Sequence, residues 1–366
     1  MRTENSSKHI VIYLASLIVG GTERVVVNLA DYLYKRGYRV TIVTTYKREG
    51  EFELPEYIER IITEPSDLQF DSGRIGNFRK RISNLKAIWN EIEPDVILSF
   101  IGKNNMMALL TAGRIPVCVA VRGEPTAEYY SKMLQIVSKT LFAKSAGIIL
   151  QTTQSIRYFP EYLRKKCTVL NNPLREEYMQ PNESRAEDNR IVTVGRVDEN
   201  KNQKMLIDAF ASIADKYPME QLVIYGDGVL RDSLIKYVEE IGMTSRISLP
   251  GATSKVREEI KNAGIFVLTS DTEGMPNALI EAMCLGIPTI STDCPCGGPA
   301  ELICNRENGM LVPVGDTEAL KVALSELLDN DTLRHDIGRK ATLIKERLNP
   351  NCVYPEWERY LISKMR

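Results

Sequence analysis

The chain writes one pattern twice, and that repetition is the strongest constraint on its fold. Short apolar runs, "RVTIVTT" (39–45), "DVILSFI" (95–101), "PVCVAVR" (116–122), "GIILQT" (147–152) and "CTVLNN" (167–172), alternate with helical or irregular stretches. The segment "NNPLREEYMQPNESRAEDN" (171–189) interrupts them with two prolines, five acids and no apolar period, and it reads as a linker. The alternation then restarts with "RIVTVG" (190–195), "QLVIYG" (221–226), "RISLPG" (246–251), "GIFVLTS" (264–270), "IPTISTD" (287–293) and "GMLVPVG" (309–315). Runs this short and this apolar suit parallel strands covered on both faces. The predicted fold class is therefore α/β, with two Rossmann-like, doubly wound domains facing a central cleft. The domains span 1–172 and 173–351, and a closing helix, 352–366, carries Trp357, Tyr360 and Leu361. A length of 366 residues agrees with two cores rather than one.

The start admits two readings. "IVIYLASLIVGG" (10–21) has the apolar character of a signal-peptide core, or of a buried strand entering a glycine turn. The amphipathic continuation "TERVVVNLADYLYKRG" favours the strand. No other stretch approaches the roughly 18 apolar residues of a membrane span. Seven scattered cysteines fit reduced thiols in a cytoplasm better than a disulfide framework. Cys294-Pro-Cys296 is half a metal knuckle without a second half. The two histidines, His9 and His335, leave little basis for zinc or Ser-His chemistry. The one Asp-x-Asp spacing, Asp329 and Asp331, falls in a polar turn, so no metal is expected. Residues 1–180 hold 25 Lys and Arg against 19 Asp and Glu, and the rest 22 against 29. That asymmetry suggests either surface drift or an N-terminal domain that works near something anionic.

The segment "EGMPNALIEAM" (273–283) carries the chemistry. Pro276 suits the first position of a helix, which puts Asn277 and Glu281 on one face. Glu281 then lies among apolar neighbours, where a carboxylate needs a partner. It could tie a neighbouring loop, or accept two hydroxyls of a ligand such as a ribose. Glu273, Met275 and Pro276 form the turn ahead of it. The N–H groups of Asn277, Ala278 and Leu279 offer an anion site between the two carboxylates. Hydroxyls, phosphate, hydroxyls is the layout of a nucleotide sugar. In "VGRVDENKNQK", Arg196 and Lys201 would clamp a diphosphate, or form an exposed cationic pair. Gly20 and Gly21 after the first strand allow close backbone approach, and they fall short of the full dinucleotide motif. Gly226 begins another glycine loop, and Thr253 in "GATSKV" stands where a base could lie.

These residues together, Gly20-Gly21, Arg196 with Lys201, Gly226-Asp227-Gly228 and Glu273-x7-Glu281, resemble the retaining glycosyltransferases of family 4, which have the GT-B fold. The stretch "DCPCGGPAELI" (293–303) is similar to the branch that builds bacterial exopolysaccharides and lipid-linked glycans. The resemblance implies that Glu273 contacts the donor sugar and Glu281 the ribose. It implies that Arg196 and Lys201 stabilise the leaving diphosphate without a metal or other cofactor, and that Gly21 approaches it from the other domain. It also implies a closing helix that crosses back onto the N-terminal domain. Many relatives carry a histidine near the acceptor where this chain has Arg122. Glu124, two residues on, would orient or deprotonate an acceptor hydroxyl, or pair with Arg122.

The expected activity is transfer of a sugar from a nucleoside-diphosphate donor, UDP-linked, to a saccharide or polyprenyl-diphosphate-linked acceptor. The alternatives are a sugar-nucleotide epimerase on the same fold and a nucleotide-sugar-binding protein without turnover. No nucleic-acid partner is expected. "FRKRISNLKAIWNEI" (78–92) places Phe78, Ile82, Leu85, Trp89 and Ile92 on one stripe. It is a core-facing helix, and its Arg79, Lys80, Arg81 and Lys86 suit an anionic membrane surface, consistent with a peripheral cytoplasmic protein.

Overall fold

The computed structural model describes residues 7–18, 20–64, 73–180, 182 and 188–365. The chain divides into two compact units, one running to Pro173 and rejoined by Asn351–Arg366, the other Leu174–Pro350. In the first unit the strands are β1 (His9–Leu14), β2 (Arg39–Thr44), β3 (Glu59–Ile62), β4 (Val96–Phe100), β5 (Val117–Ala120), β6 (Gly147–Leu150) and β7 (Cys167–Val169). Its helices are α1 (Gly21–Lys35), α2 (Gly73–Ile92), α3 (Gly102–Thr111), α4 (Pro125–Glu128), α5 (Lys132–Phe142) and α6 (Glu161–Arg164). The strands pair in parallel in the order β3-β2-β1-β4-β5-β6-β7.

The period of two along β1 shows how both faces are covered. Ile10, Ile12 and Leu14 pack with Val26, Leu29 and Leu33 of α1. Val11 and Tyr13 pack with Leu85 and Trp89 of α2 and Met106 of α3. The apolar opening segment is thus a central strand. β3 was not anticipated. Its "ERII" is an edge strand, half-buried or exposed, with two charged residues ahead of two apolar ones, so it offers no buried run to read. The stripe of α2 is core-facing only in part, because Leu85, Trp89 and Ile92 are buried while Phe78 is exposed.

The second unit holds α7 (Glu176–Met179), β8 (Arg190–Val194), α8 (Gln203–Ile213), β9 (Gln221–Tyr225), α9 (Arg231–Glu240), β10 (Ile247–Gly251) and α10 (Val256–Ile260). It continues with β11 (Ile265–Leu268), α11 (Asn277–Cys284), β12 (Thr289–Thr292), α12 (Gly298–Leu302) and β13 (Met310–Val312). Helices α13 (Thr317–Asp329), α14 (Asp331–Ala341) and α15 (Ile344–Arg347) complete it. Its sheet is parallel in the order β10-β9-β8-β11-β12-β13. In both units the order reverses beside the first strand, at β1/β4 and at β8/β11. Loops leaving the carboxyl ends of those strands diverge there and leave room for a ligand.

The last helix, α16 (Pro350–Ile362), packs on the first unit. Trp357 is wholly buried, lies 6.3 Å from the Phe100 ring, and donates its indole N–H to the Asn171 carbonyl at 2.9 Å. Glu358 accepts from the hydroxyls of Tyr32 at 2.8 Å and Tyr38 at 3.1 Å, and pairs with Arg36 at 3.2 Å. Trp357→Ala is expected to cost about 3–5 kcal/mol through the cavity and the orphaned carbonyl. Urea denaturation followed at Trp89, also in the first unit, checks this through a lowered midpoint. No helix among the described residues is long and apolar enough to cross a membrane.

Candidate active site

The neighbours β8 and β11 deliver the two charged motifs to one place. The loop after β8 and the loop after β11 are stitched by backbone and amide groups. Asp271 N–H donates to the Asn200 carbonyl at 2.8 Å. The Asn200 amide donates to the Thr272 carbonyl at 3.1 Å, and the Thr272 hydroxyl returns a bond to Asn200 Oδ1 at 2.7 Å. Asn202, held in the left-handed region at φ 45°, donates to Asp271 Oδ1 at 3.1 Å. The Thr269 hydroxyl donates to the Lys201 carbonyl at 2.9 Å. With its backbone held this way, Lys201 directs its ammonium onto Glu273 Oε1, which also accepts the Ser270 hydroxyl at 2.6 Å. The two charged side chains are only 17% and 13% exposed, so the pair is largely shielded from solvent. Both partners use Oε1. Among the described residues, Oε2 of Glu273 has none.

The turn that carries Glu273 rests on the segment after β12. Glu273 N–H donates to the Pro295 carbonyl at 2.7 Å, and Cys296 N–H donates to the Glu273 carbonyl at 3.1 Å. A Cβ on Gly298 would overlap the Gly274 carbonyl, so glycine is required where α12 meets the turn. "DCPCGGP" therefore works as a cradle of backbone. Burial, with Glu273 close by, pushes the Cys294 thiol up to about 12, which leaves it protonated and a poor nucleophile.

Arg196 stands on an equally fixed loop but with an exposed head. Gly195 N–H donates to the Tyr225 carbonyl at 3.0 Å and Val197 N–H to the Asp227 carbonyl at 2.9 Å. Gly226 has no room for a Cβ because the Gly195 carbonyl occupies that space, so this glycine holds the Arg196 loop in place. The Arg196 side chain is 78% exposed, with Asp198 at 3.4 Å. Thr253 lies in the loop after β10, its hydroxyl accepting from Lys255 N–H at 3.0 Å.

Pro276 caps α11 and Asn277 is the first helical residue, one position later than expected. The first turn presents the N–H groups of Asn277, Ala278 and Leu279, and Met275 is buried just ahead of it. Glu281 is buried on the same helix. Its Oε1 pairs with Arg175 at 2.9 Å and its Oε2 accepts the Tyr178 hydroxyl at 3.2 Å. Arg175 also donates to that hydroxyl at 2.8 Å. The stretch expected as a linker is thus ordered where it matters. α7 packs into the core, with Tyr178 wholly buried and its hydroxyl pushed far up by burial and by Glu281.

In the first unit, Gly20 caps α1 and Gly21 opens it. A Cβ on Gly20 would come within 2.5 Å of Glu23 Oε2, so the glycine makes room for that carboxylate. Burial raises the Glu23 carboxyl, opposed by its own N–H and by Arg122. Arg122 is buried, directed at Asn172 and lying 5.7 Å from the Phe100 ring centre. Burial brings its guanidinium down to about 10, against the opposing charges of Glu128 and Glu23. Glu124 does not pair with Arg122. Its carboxylate caps α4, accepting from Ala127 N–H at 2.6 Å and from the Thr126 hydroxyl. A cap satisfies the orphan N–H groups of a helix start, which is reason enough for an acid there. Among the described residues, no cluster of His, Cys, Asp or Glu is arranged to hold a metal ion.

Comparison with known proteins decides the family. Residues 19–177 match the model of glycosyltransferase family 4, and residues 175–343 match that of glycosyl transferases group 1. The chain belongs to these glycosyltransferases. It is 24% identical to the GalNAc-GalNAc-diNAcBac-PP-undecaprenol α-1,4-N-acetyl-D-galactosaminyltransferase of Campylobacter jejuni, over 94% of this chain and 95% of that one. An uncharacterized glycosyltransferase of Methanocaldococcus jannaschii is 28% identical, over 63% of each chain. The crystal structure of Anabaena HepE in complex with UDP and glucose superposes with a TM-score of 0.82 at 18% identity, over 97% of this chain and 100% of that one. The fold is that of the GT-B enzymes.

Four residues that touch the candidate site residues of this glycosyltransferase escaped the sequence reading: Arg175, Tyr178, Glu23 and Gly298. "LREEYM" and "GTER" do hold the charged residues, but nothing local says whom they meet. Arg175→Met is expected to strand Glu281 and destabilise the second unit by roughly 1–3 kcal/mol. Donor KM should rise more than kcat falls. The measurement is a double-mutant cycle with Glu281→Gln, in which Arg175→Met should cost little once the carboxylate is gone.

Proposed function

We propose that this glycosyltransferase moves a sugar, with retention and without a metal, from a UDP-sugar to a saccharide carried on a polyprenyl diphosphate. The work would take place at the cytoplasmic face of a membrane, in bacterial polysaccharide or glycan assembly. The observation that carries the donor part is the shielded Lys201–Glu273 pair beside the first turn of α11. A departing nucleoside diphosphate gains charge as the glycosidic bond breaks. Lys201 and Arg196 would meet that charge, and the first-turn N–H groups of α11 would receive a phosphate oxygen. Oε2 of Glu273 would accept a hydroxyl of the donor sugar. Glu281, which also holds Arg175 and Tyr178, would accept hydroxyls of the ribose. Gly20 and Gly21 would approach the diphosphate, and Thr253 would stand beside the base. Arg122 would sit on the acceptor side, while Glu124 would act there only by giving up its cap.

The lipid-linked acceptor is supported by the Campylobacter relative's substrate and by the cationic helices of the first unit. A panel of UDP-sugars and polyprenyl-diphosphate glycans, incubated with EDTA, tests the reading. The product's anomeric configuration is then read by NMR against the donor's. Transfer with retained configuration is the expected result. Epimerised donor without transfer, UDP binding without turnover across the panel, or activity abolished by EDTA would each overturn it.

A further inference from the structure

Where β11 ends, two successive side chains reach the charged pair of the second unit from below. Thr269 and Ser270 are both buried. The Thr269 hydroxyl donates to the Lys201 carbonyl at 2.9 Å and so fixes the backbone of the cation. The Ser270 hydroxyl donates to Glu273 Oε1 at 2.6 Å, the oxygen that Lys201 also faces. Ser270 is itself pinned to the sheet. Its carbonyl accepts the Thr292 hydroxyl at 2.6 Å, just beyond the last paired rung of β11 and β12, Leu268 with Ser291.

A buried hydroxyl needs a partner, and backbone is the usual one. Ser291, the buried serine of β12, bonds to the Thr292 carbonyl at 3.2 Å. Ser270 instead gives its hydrogen to a carboxylate, in a charge-assisted bond. The choice has a geometric consequence. An ammonium is a compact charge on a flexible stem, and it attracts either oxygen of a carboxylate alike. Lys201 alone would leave the Glu273 carboxylate free to turn about its last torsion, which is broad and two-fold. A hydroxyl carried by the end of a strand stays in one place and removes that freedom. Oε1 is held from two sides, and Oε2 is left without a partner among the described residues.

We infer that Ser270 is a positioning residue for the donor sugar. Its hydroxyl sets the plane of the Glu273 carboxylate, so that Oε2 accepts a sugar hydroxyl while Lys201 keeps two N–H groups for the leaving diphosphate. The inference rests on the donor reading proposed above. Without the serine, the carboxylate turns to meet Lys201 with both oxygens. The sugar then loses its acceptor, and the cation loses the N–H groups that should face the diphosphate. Contacts to the nucleotide at the first turn of α11 and at Glu281 stay where they are.

The test uses the full chain carrying Ser270→Ala, Glu273→Ala, or both. Crystal structures of wild type and S270A are compared at the carboxylate, and UDP affinity is measured by calorimetry. Turnover is read as UDP released from UDP-glucose, UDP-galactose, UDP-N-acetylglucosamine and UDP-N-acetylgalactosamine, with undecaprenyl-diphosphate-linked glycans as acceptors. In S270A the carboxylate is expected to have turned toward Lys201. Its kcat/KM should fall roughly 10–100-fold with UDP affinity within about twofold of wild type, as for a positioned group that has shifted by near 1 Å. In the Glu273→Ala background the serine should no longer matter, because the group it orients is gone. Ser270→Cys, close in shape but a weak donor, should lie between wild type and S270A. A serine that merely supports the fold would lower UDP affinity together with turnover, or would cost as much with Glu273 absent. Either result overturns the proposal, and so does an S270A carboxylate that has not turned. Wild-type turnover that S270A leaves undiminished sinks the role of Ser270 and keeps the donor reading. If wild type turns over none of the four donors while the S270A carboxylate has turned, the donor reading falls and the orienting of Glu273 by Ser270 stands.

Discussion

Lys201→Ala is expected to lower kcat roughly 10²–10³-fold while changing donor affinity far less. Removing one preorganised charge that faces a developing anion has that magnitude. The asymmetry arises because the diphosphate carries more charge in the transition state than in the bound donor. The structure adds a complication that Arg196 resolves. Lys201 neutralises a shielded Glu273, so its loss also leaves a carboxylate with the Ser270 hydroxyl but no counter-charge and lowers stability. The Arg196 side chain is exposed and, among the described residues, pairs with Asp198, an ion pair worth about 0–1 kcal/mol. Arg196→Ala should therefore cut turnover with no change in the unfolding midpoint. K201A/E273Q should recover the midpoint but not the turnover. Steady-state kinetics beside urea melts separate the two effects. If Arg196→Ala left kcat intact, the leaving-group role assigned to this pair would fall.

Gly298→Ala is expected to be the most damaging single methyl group in the second unit. The added Cβ would overlap the Gly274 carbonyl and press on Pro276, the residues that set the turn of Glu273 and the start of α11. Backbone cannot rotate away as a side chain can, so the turn must shift. Overpacking of this kind costs about 1–3 kcal/mol or more, and a displaced Glu273 would carry Lys201 with it. Activity should fall roughly 100-fold, since an error near 1 Å in a positioned group has that effect. Gly315→Ala serves as the control. Gly315, unlike Gly298, sits at positive φ, 72°, and its Cβ would meet nothing within 4 Å. It should cost roughly 1–2 kcal/mol of strain and leave kcat alone. Equal kinetics for the two variants would mean that the 293–298 cradle does not position the site.

How much of this was legible follows from the range of each interaction. The interior strands of both sheets announce themselves because a strand covered on both faces must be apolar along most of its length, and the edge strands β7, β10 and β13 still carry two or three apolar letters. β3 does not, because an edge strand is not obliged to be apolar. The charged motifs at 196–201 and 273–281 were readable as candidates for a similar reason. A cation before a helix and an acid inside an apolar one are locally unfavourable, and the conflict is written in sequence.

What the letters could not show is who resolves each conflict. Glu281 meets Arg175 and Tyr178 across more than a hundred residues, and those two stand in a stretch whose composition reads as a linker. Glu124, legible as an acid near a site, is a helix cap, and Arg122 turns instead to Asn172. Gly226 and Gly298 look like turn glycines, yet each is glycine because a carbonyl from another loop fills the place of its side chain. The sequence by itself determined two doubly wound sheets and the loops that leave their central strands, since periodicity and apolar length act between near neighbours. Only the tertiary structure decided the partner of each buried charge and the glycines that permit close approach. Those depend on distances between segments far apart in the chain, set by how helices and loops pack onto the finished sheets.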